Sequence, residues 1–458
     1  MTTFAEPDFA ELDRAITPTT DGEIAIMNLE SARKRSWSKL FADPARDGVA
    51  ETVVEHEQLT LQFVGDVSAL DRLALLAAQL NQAEPVSART RLIQAQVTSI
   101  AHRFSDARHD LAEAEIGGAP AADVDRLRLT IDQACGNDLD NVLDARRRIA
   151  TETGGLEDFV ALASLLADLR DFDAADRAYK RALQAYRDVS PFPIARVCFQ
   201  LGMLWGELTP EPNPVLAAQW YRQAIAILPM YTKARVHLAE ICAAEGNFSE
   251  AEELLRRVMA IGDPEVDWRL ADVLADQEKF EESEERMKTA HSGFESLLER
   301  HLLAFADHGA EFYAGSGGDL PRALHLARIN ADNRPTLRAI EQAYKVAILA
   351  DDAAAAFELL FEATKRWGNA SAFSLSSLRG GAAIERRSGD MMIDRRNFVT
   401  GVALTTMVPA LPLLPASPPT LATSPLDLRI EGWSDPAESG APDAAWIRVG
   451  HSWRTAWR

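Results

Sequence analysis

The chain has 458 residues, of which 47% are hydrophobic and 26% are charged, a balance typical of folded soluble proteins. Its formal net charge of −21 argues against binding to nucleic acid or anionic lipid, because an acidic surface repels phosphate groups. The three cysteines are dispersed and form no CxxC pair, which indicates buried thiols in a reducing compartment.

The N-terminal region contains no basic segment followed by an apolar run, so no secretory signal peptide is predicted there. Residues 1–21 contain Pro and Thr without a helical period, and we expect them to be disordered. Residues 22–87 are predicted to form a helical N-terminal segment. Asp21 is suited to cap a first helix that Pro44 ends, and two further helical patterns follow on either side of Gly65.

Between residues 88 and 370 the apolar residues recur with the period of helical hairpins. The most regular feature is a small residue where the second helix of each hairpin contacts the first, and it recurs in steps that cluster near about 34 residues. A hairpin of this kind cannot bury its apolar face alone, so successive copies must stack. The recurring residues are Ala107, Ala175, Ala217, Ala251, Ser283, Ala323 and Ala356.

The stretch 198–231 carries the fullest version of the pattern and resembles a tetratricopeptide repeat. In this comparison Leu201 stands at the position of the usual Trp and Trp205 at that of the usual Gly. The resemblance implies an all-α fold, a right-handed superhelical solenoid of stacked helix–turn–helix repeats over residues 88–370. The residues that carry it are Leu201, Leu204, Trp205, Leu208, Ala217, Tyr221, Ala224 and Pro229.

The resemblance also implies which side chains line the concave face, because in this family they come from the first helix of each pair. The implied set mixes aromatic and charged residues, which suits binding of an extended or helical peptide. Phe199 and Phe305 fit the core between repeats equally well. Chaperone-binding members hold a C-terminal carboxylate with Lys and Asn; here only Lys233 and Arg269 qualify, and the Asn partners are missing. The implied residues are Phe199, Met203, Lys233, His237, Glu240, Trp268, Arg269, Asp272, Phe305, His308 and Phe312.

No catalytic motif was found in the sequence: there is no G-x-S-x-G, no H-E-x-x-H and no kinase signature. The glycine-rich run Gly315–Gly318 lacks the Lys-Ser/Thr of a phosphate-binding loop. His102 and His109 are spaced along one helix face, where we expect structural or solvated histidines rather than metal ligands. We therefore predict no enzyme activity, no cofactor and no metal.

The C-terminal region differs in character from the repeats. Residues 371–391 are predicted to be a linker and residues 392–458 a low-structure tail, giving a largely unstructured C-terminal region. Arg395, Arg396 and Phe398 precede an apolar run over 398–414 and resemble a twin-arginine export signal. The arrangement is similar to a separate small exported protein fused in frame behind the repeats.

These features predict a non-enzymatic, cytoplasmic interaction scaffold that binds a protein or peptide partner on the concave face of the solenoid. One alternative is a membrane-tethered or export-related assembly factor, in which only residues 398–414 contact the membrane and the C-terminal segment is exported or membrane-associated. That run is shorter than the roughly 20 apolar residues of a typical spanning helix and contains three prolines. Another alternative is a regulatory subunit of an enzyme complex.

Overall fold

The computed structural model of the chain describes residues 19–84, 87–374, 376, 378, 444–449 and 452–457. Its regular elements are α1 (Gly22–Ala42), α2 (Val49–Leu59), α3 (Ala69–Ala83), α4 (Ala88–Ile100), α5 (Phe104–Ile116), α6 (Ala121–Ala134), α7 (Leu139–Thr153), α8 (Leu156–Asp168), α9 (Phe172–Ala185), α10 (Pro191–Met203), α11 (Pro214–Ile227), α12 (Thr232–Ala244), α13 (Phe248–Arg256), α14 (Pro264–Asp276), α15 (Phe280–Ala314), α16 (Leu320–Asn333), α17 (Leu337–Leu349), α18 (Ala353–Trp367), α19 (Ser371–Ser374), β1 (Ala444–Val449) and β2 (Ser452–Trp457).

The first helices begin and end at residues that favour helix termini, namely a capping Asp, a Pro and a Gly. Asp21 caps α1, since its Oδ1 accepts hydrogen bonds from the backbone N–H groups of Glu23 and Ile24 at 3.0 and 3.1 Å. α1 ends just before Pro44. α2 continues as a π-helical turn over Thr60–Val64, which Gly65 ends with a φ of 82°. The helical N-terminal pattern predicted around Gly65 is therefore confirmed.

Stacked helical hairpins follow from α4 to α18, and the recurring small residues are the points where paired helices touch. Ala107, Ala175, Ala217, Ala251 and Ala323 are each 0% exposed. A side chain this small lets two helix backbones approach closely while the neighbouring leucines and aromatics interdigitate. The predicted all-α solenoid is confirmed by this arrangement.

The closest helix–helix approach in the best-preserved repeat lies at Gly202, between α10 and α11. A Cβ atom added there would lie 2.4 Å from Cε1 of Tyr221, so only glycine fits. Trp205, which the resemblance aligns with the usual glycine of the repeat, lies in the π-helical turn Leu204–Leu208. Its indole N–H donates to Oδ1 of Asp176 at 3.0 Å.

The long helix α15 serves two successive hairpins. It bends at His301, whose φ of −137° and ψ of 47° are not helical, so its two halves belong to different repeats. The long step between the recurring residues Ser283 and Ala323 predicts a lengthened connection over 292–303 at this point. The structure replaces that loop with a nearly continuous helix.

The solenoid curls until distant parts of the chain touch, and this closes much of the concave face. The N-terminal segment packs along the inner side: Phe63, in the π-helical turn that follows α2, lies 4.9 Å from Tyr231 between ring centroids. Small rotations between successive repeats add up, so the early repeats also meet the late ones. The bridging contacts are Arg257 to Glu23 at 3.2 Å, Asn333 to the carbonyl of His102 at 2.9 Å, and Arg366 to the carbonyl of Cys135 at 3.0 Å.

The two strands near the C-terminus form an antiparallel pair in which Ala444 lies opposite Trp457 and Val449 opposite Ser452. The sequence did not predict this hairpin. The predicted export motif of Arg395, Arg396 and Phe398 lies outside the described residues, as does most of the predicted linker. Among the helices that the structure describes, none combines the length and the apolar character needed to cross a bilayer.

Candidate binding site inside the solenoid

Most aromatic members of the predicted concave set, together with Met203, are part of the core between repeats. Phe199 is covered by Tyr231, with ring centroids 5.2 Å apart, and Tyr231 is covered in turn by Phe63. Because the N-terminal segment fills this side of the superhelix, these rings stabilise stacking and do not reach a ligand on the surface. The predicted residues in this group, each at most 2% exposed, are Phe199, Met203, Trp268 and Phe312.

Arg269 lies at the centre of a buried group of carboxylates. One of its terminal nitrogens is 2.7 Å from Oε1 of Glu240 and 2.8 Å from Oε1 of Glu311, and its guanidinium lies 3.6 Å from the Trp268 ring centroid. Burial disfavours the charge of Arg269, but the surrounding carboxylates outweigh burial and raise its pKa further. Arg269 therefore stays charged and joins three repeats.

His237 lies beside the same group. Its Nδ1 is 3.0 Å from Oε1 of Glu207 and 3.3 Å from Oε2 of Glu240, so the imidazole lies between two carboxylates. Burial opposes the charged form, but both carboxylates together raise the pKa of His237 to about 10. We call Glu207, His237, Glu240, Arg269 and Glu311 the central ionic cluster.

Two members of the central ionic cluster, Glu207 and Glu311, are not among the residues that the sequence predicts for the concave face. Glu311 follows the predicted concave residue His308 by three positions, so helical spacing placed it on the same face and was a usable signal. Glu207 lies in a π-helical turn, where regular helical spacing fails. Burial raises the pKa of Glu311 to about 8 despite the nearby Arg269. Asp272, which was predicted, accepts a hydrogen bond from the Ser316 hydroxyl at 2.8 Å outside the cluster.

Three predicted residues do converge on an accessible space. Lys233, Phe305 and His308 are half-buried and line a cavity of about 120 Å³, which we call the inner cavity. Asp263 and Glu265, at the start of α14, complete its polar side. The apolar side comes from both the N-terminal segment and the later repeats, through Leu61, Leu70, Ile100, Phe294 and Ala304.

The polar side of the inner cavity carries charges of both signs. Nδ1 of His308 lies 3.6 Å from Oε2 of Glu265. Asp263 caps α14 through a hydrogen bond from the backbone N–H of Glu265 at 3.0 Å, and burial, with Glu265 nearby, raises the pKa of Asp263 to about 7. His102 is buried at the inner end, and burial lowers its pKa to about 3, so it is neutral. His102 is thus a structural histidine in the turn between α4 and α5, and it does not share the exposed helix face that carries His109.

The size of the inner cavity limits what it can hold. An apolar cavity of roughly 150 Å³ accommodates benzene, so a space of about 120 Å³ suits a single apolar side chain. The described residues contain no group of His, Cys, Asp and Glu side chains placed to hold a metal ion. The lining residues therefore form an apolar socket with charged side chains at its rim. Such an arrangement suits binding of a side chain from another protein.

Comparison with known proteins finds a family match over part of the chain. Residues 213–266 match the tetratricopeptide repeat family model, within a chain whose described helices form a solenoid. No curated protein matches the chain. Among solved structures, the chain is similar to the APC/C hetero-tetramer Cut9-Hcn1, with 14% identity, a TM-score of 0.35, and coverage of 76% of this chain and 66% of that one. It is also similar to yeast Tom70, with 12% identity, a TM-score of 0.28, and coverage of 79% and 96%.

Proposed function

We propose that the chain is a non-enzymatic scaffold that binds a segment of a partner protein, with one apolar side chain of the partner entering the inner cavity. The observation that carries this proposal is the convergence of Lys233, Phe305 and His308, all half-buried, on a single socket. A buried apolar anchor surrounded by a polar rim is the usual centre of a protein interface.

The charges at the rim favour a particular kind of partner segment. Lys233 provides one cation at the rim, and Asp263 and Glu265 provide carboxyl groups. The net charge of −21 adds a long-range attraction for basic segments. We therefore infer a partner segment with one Leu, Met or Phe anchor and basic residues beside it.

The proposal is tested by filling the inner cavity. Ala304→Trp places an indole in the socket, and we expect at least a tenfold loss of the partner in quantitative affinity capture with mass spectrometry, a change of about 1.4 kcal/mol. Ala353→Trp is the matched control, because Ala353 is exposed on α18, far along the chain from the cavity. Circular dichroism establishes that both variants are folded.

A second variant keeps the test informative if Ala304→Trp does not fold. Lys233→Met removes the rim cation without filling the socket, and we expect it to weaken partner capture while the thermal midpoint stays unchanged. If Ala304→Trp and Lys233→Met, both folded, capture the same partners as the wild type in equal amounts, the inner cavity is not the binding site.

A further inference from the structure

A second, larger cavity lies on the inner side of the solenoid and is separate from the inner cavity. It has a volume of about 360 Å³ and is bounded by residues from α6, α7, α8, α9, α17 and α18 and from the π-helical turn Leu204–Leu208. We call it the polar cavity and define it by Gln133, Arg170, Glu207, Arg338 and Lys345. Its volume falls in the range of roughly 300–1,000 Å³ that is typical of small-molecule sites.

Lys345 contributes a cation to the polar cavity that its surroundings do not neutralise. Among the described residues, no carboxylate lies within ion-pair distance of its ammonium group and no hydrogen bond to it is formed. The nearest acidic neighbour on the same helix, Glu341, forms its ion pair with Arg170. Burial lowers the pKa of Lys345; Glu341 opposes this, whereas Arg170 and Arg338 add to it. An anionic group in the cavity would therefore be stabilised by Lys345.

Gln133 contributes an acceptor that also has no partner. Its amide Nε2 donates to Oδ2 of Asp168 at 2.9 Å and to the Ser164 hydroxyl at 3.3 Å, whereas its Oε1 is buried without a donor. Exchanging the two amide atoms would bring a carbonyl oxygen against the Asp168 carboxylate, so the orientation is determined by the neighbours. The side chain is 4% exposed, and a buried acceptor without a donor is unfavourable.

Glu207 provides a second acceptor of this kind. Its Oε1 is engaged by His237 at 3.0 Å and by the Tyr221 hydroxyl at 3.3 Å. Its Oε2 is buried without a donor, and the side chain is 9% exposed. The polar cavity thus combines one cation that lacks a counter-ion with two acceptors that lack donors.

We propose that the polar cavity binds a small zwitterion, a free amino acid or a dipeptide. Its carboxylate would pair with the ammonium group of Lys345, with Arg338 two helical turns away on the same helix. Its ammonium group would donate to Oε2 of Glu207 and Oε1 of Gln133, which a simple anion cannot do. Phe172, Leu337 and Trp367 line the same cavity and offer an apolar surface to the ligand side chain.

This inference is independent of the proposed partner binding, since Ala304 and Lys233 do not line the polar cavity. The test is isothermal titration calorimetry of the full chain with L-leucine, acetate, methylamine and inorganic phosphate. We expect L-leucine to bind with a dissociation constant of about 1 mM or lower, and each half-molecule to bind at least about tenfold more weakly.

The variant Lys345→Met should weaken L-leucine binding at least about tenfold, or about 1.4 kcal/mol, without loss of helical circular dichroism. Arg328→Met, which removes an exposed ion pair with Glu358 at 3.1 Å, is the control and should leave binding unchanged. Gln133→Leu is a second variant, because it removes the acceptor and leaves Lys345 in place.

Three outcomes would overturn the proposal. The first is that L-leucine does not bind. The second is that acetate or phosphate binds as tightly as L-leucine, which would mean that the cavity holds an anion alone. The third is that Lys345→Met and Gln133→Leu, both folded, bind L-leucine like the wild type.

Discussion

His237 Nδ1 lies 3.0 Å from Oε1 of Glu207, and the two side chains are 3% and 9% exposed. Glu207 comes from the π-helical turn that ends the first helix of one repeat, and His237 from the first helix of the next. The pair therefore ties neighbouring repeats together through charge as well as through apolar packing.

This pair predicts how stability depends on pH. The pKa of His237 is raised from 6.5 to about 10 in the folded chain, so the folded state holds a proton that the unfolded state loses. The stabilisation is fully present below about pH 6.5 and is lost as pH rises towards 10. We expect the free energy of unfolding, measured by urea denaturation, to fall over this range, and to fall less steeply in His237→Gln.

A surface variant provides the control for this measurement. Glu284 forms an exposed pair with Lys288 at 2.8 Å, so Glu284→Gln should keep the pH dependence of the wild type. Equal slopes in His237→Gln and the wild type between pH 7 and pH 9 would show that His237 is not charged in the folded chain.

The shifted pKa of Glu311 predicts a second pH dependence of the free energy of unfolding. Burial raises the pKa of this carboxyl group from 4.5 to about 8, so its folded form favours the neutral acid. Its contribution to stability is fully present below about pH 4.5 and decreases as pH rises through 8. Glu311→Gln keeps a neutral acceptor for Arg269, and we expect it to be more stable than the wild type at pH 9. A lower urea midpoint for the variant at pH 9 would contradict this expectation.

Gly202 predicts a packing effect. The Cβ atom of Gly202→Ala would lie 2.4 Å from the Tyr221 ring and force α10 and α11 apart, at a cost of roughly 1–3 kcal/mol. Gly155→Ala is the control, because its backbone φ is −79° and the nearest atom to an added Cβ is a carboxylate oxygen 3.3 Å away. Thermal melts should show a lower midpoint for Gly202→Ala but not for Gly155→Ala. Equal midpoints for Gly202→Ala and the wild type would show that Gly202 is not at a close contact between the helices.

A substitution at Ala251 tests how far a local destabilisation spreads along the solenoid. It is 0% exposed at the contact between α12 and α13, so Ala251→Trp overpacks that contact and costs roughly 1–3 kcal/mol or more. Because each repeat is stabilised by its neighbours, we expect hydrogen exchange to rise in α11 and α14 as well as in α13. Faster exchange confined to α13, with an unchanged melting midpoint, would contradict this coupling.

The hairpins could be predicted from the sequence because their signals are local. The recurring alanines from Ala107 to Ala356, and the cap at Asp21, depend on contacts between residues close in the chain. Closure of the solenoid could not be predicted, since it depends on summed rotations between repeats. Contacts such as Asn333 with the His102 carbonyl therefore have no local signal.

The same closure explains why some of the predicted concave residues are buried while others line the inner cavity. Phe199, Trp268 and Arg269 are each at most 4% exposed, because the N-terminal segment and neighbouring repeats cover them. Replacing Trp268 and Arg269 would consequently report on stability rather than on partner binding. Cytoplasmic location and Arg395/Arg396-dependent export stay predictions.

Binding of a partner at the inner cavity can be tested by site-specific photo-crosslinking of the full chain. A photoreactive phenylalanine analogue is placed at Phe305, inside the socket, and in a second sample at Phe357, which is 59% exposed on α18. We expect the captured partner to be crosslinked from position 305, through an apolar residue of the partner, and not from position 357. Crosslinking of the partner from position 357 and not from 305 would contradict it.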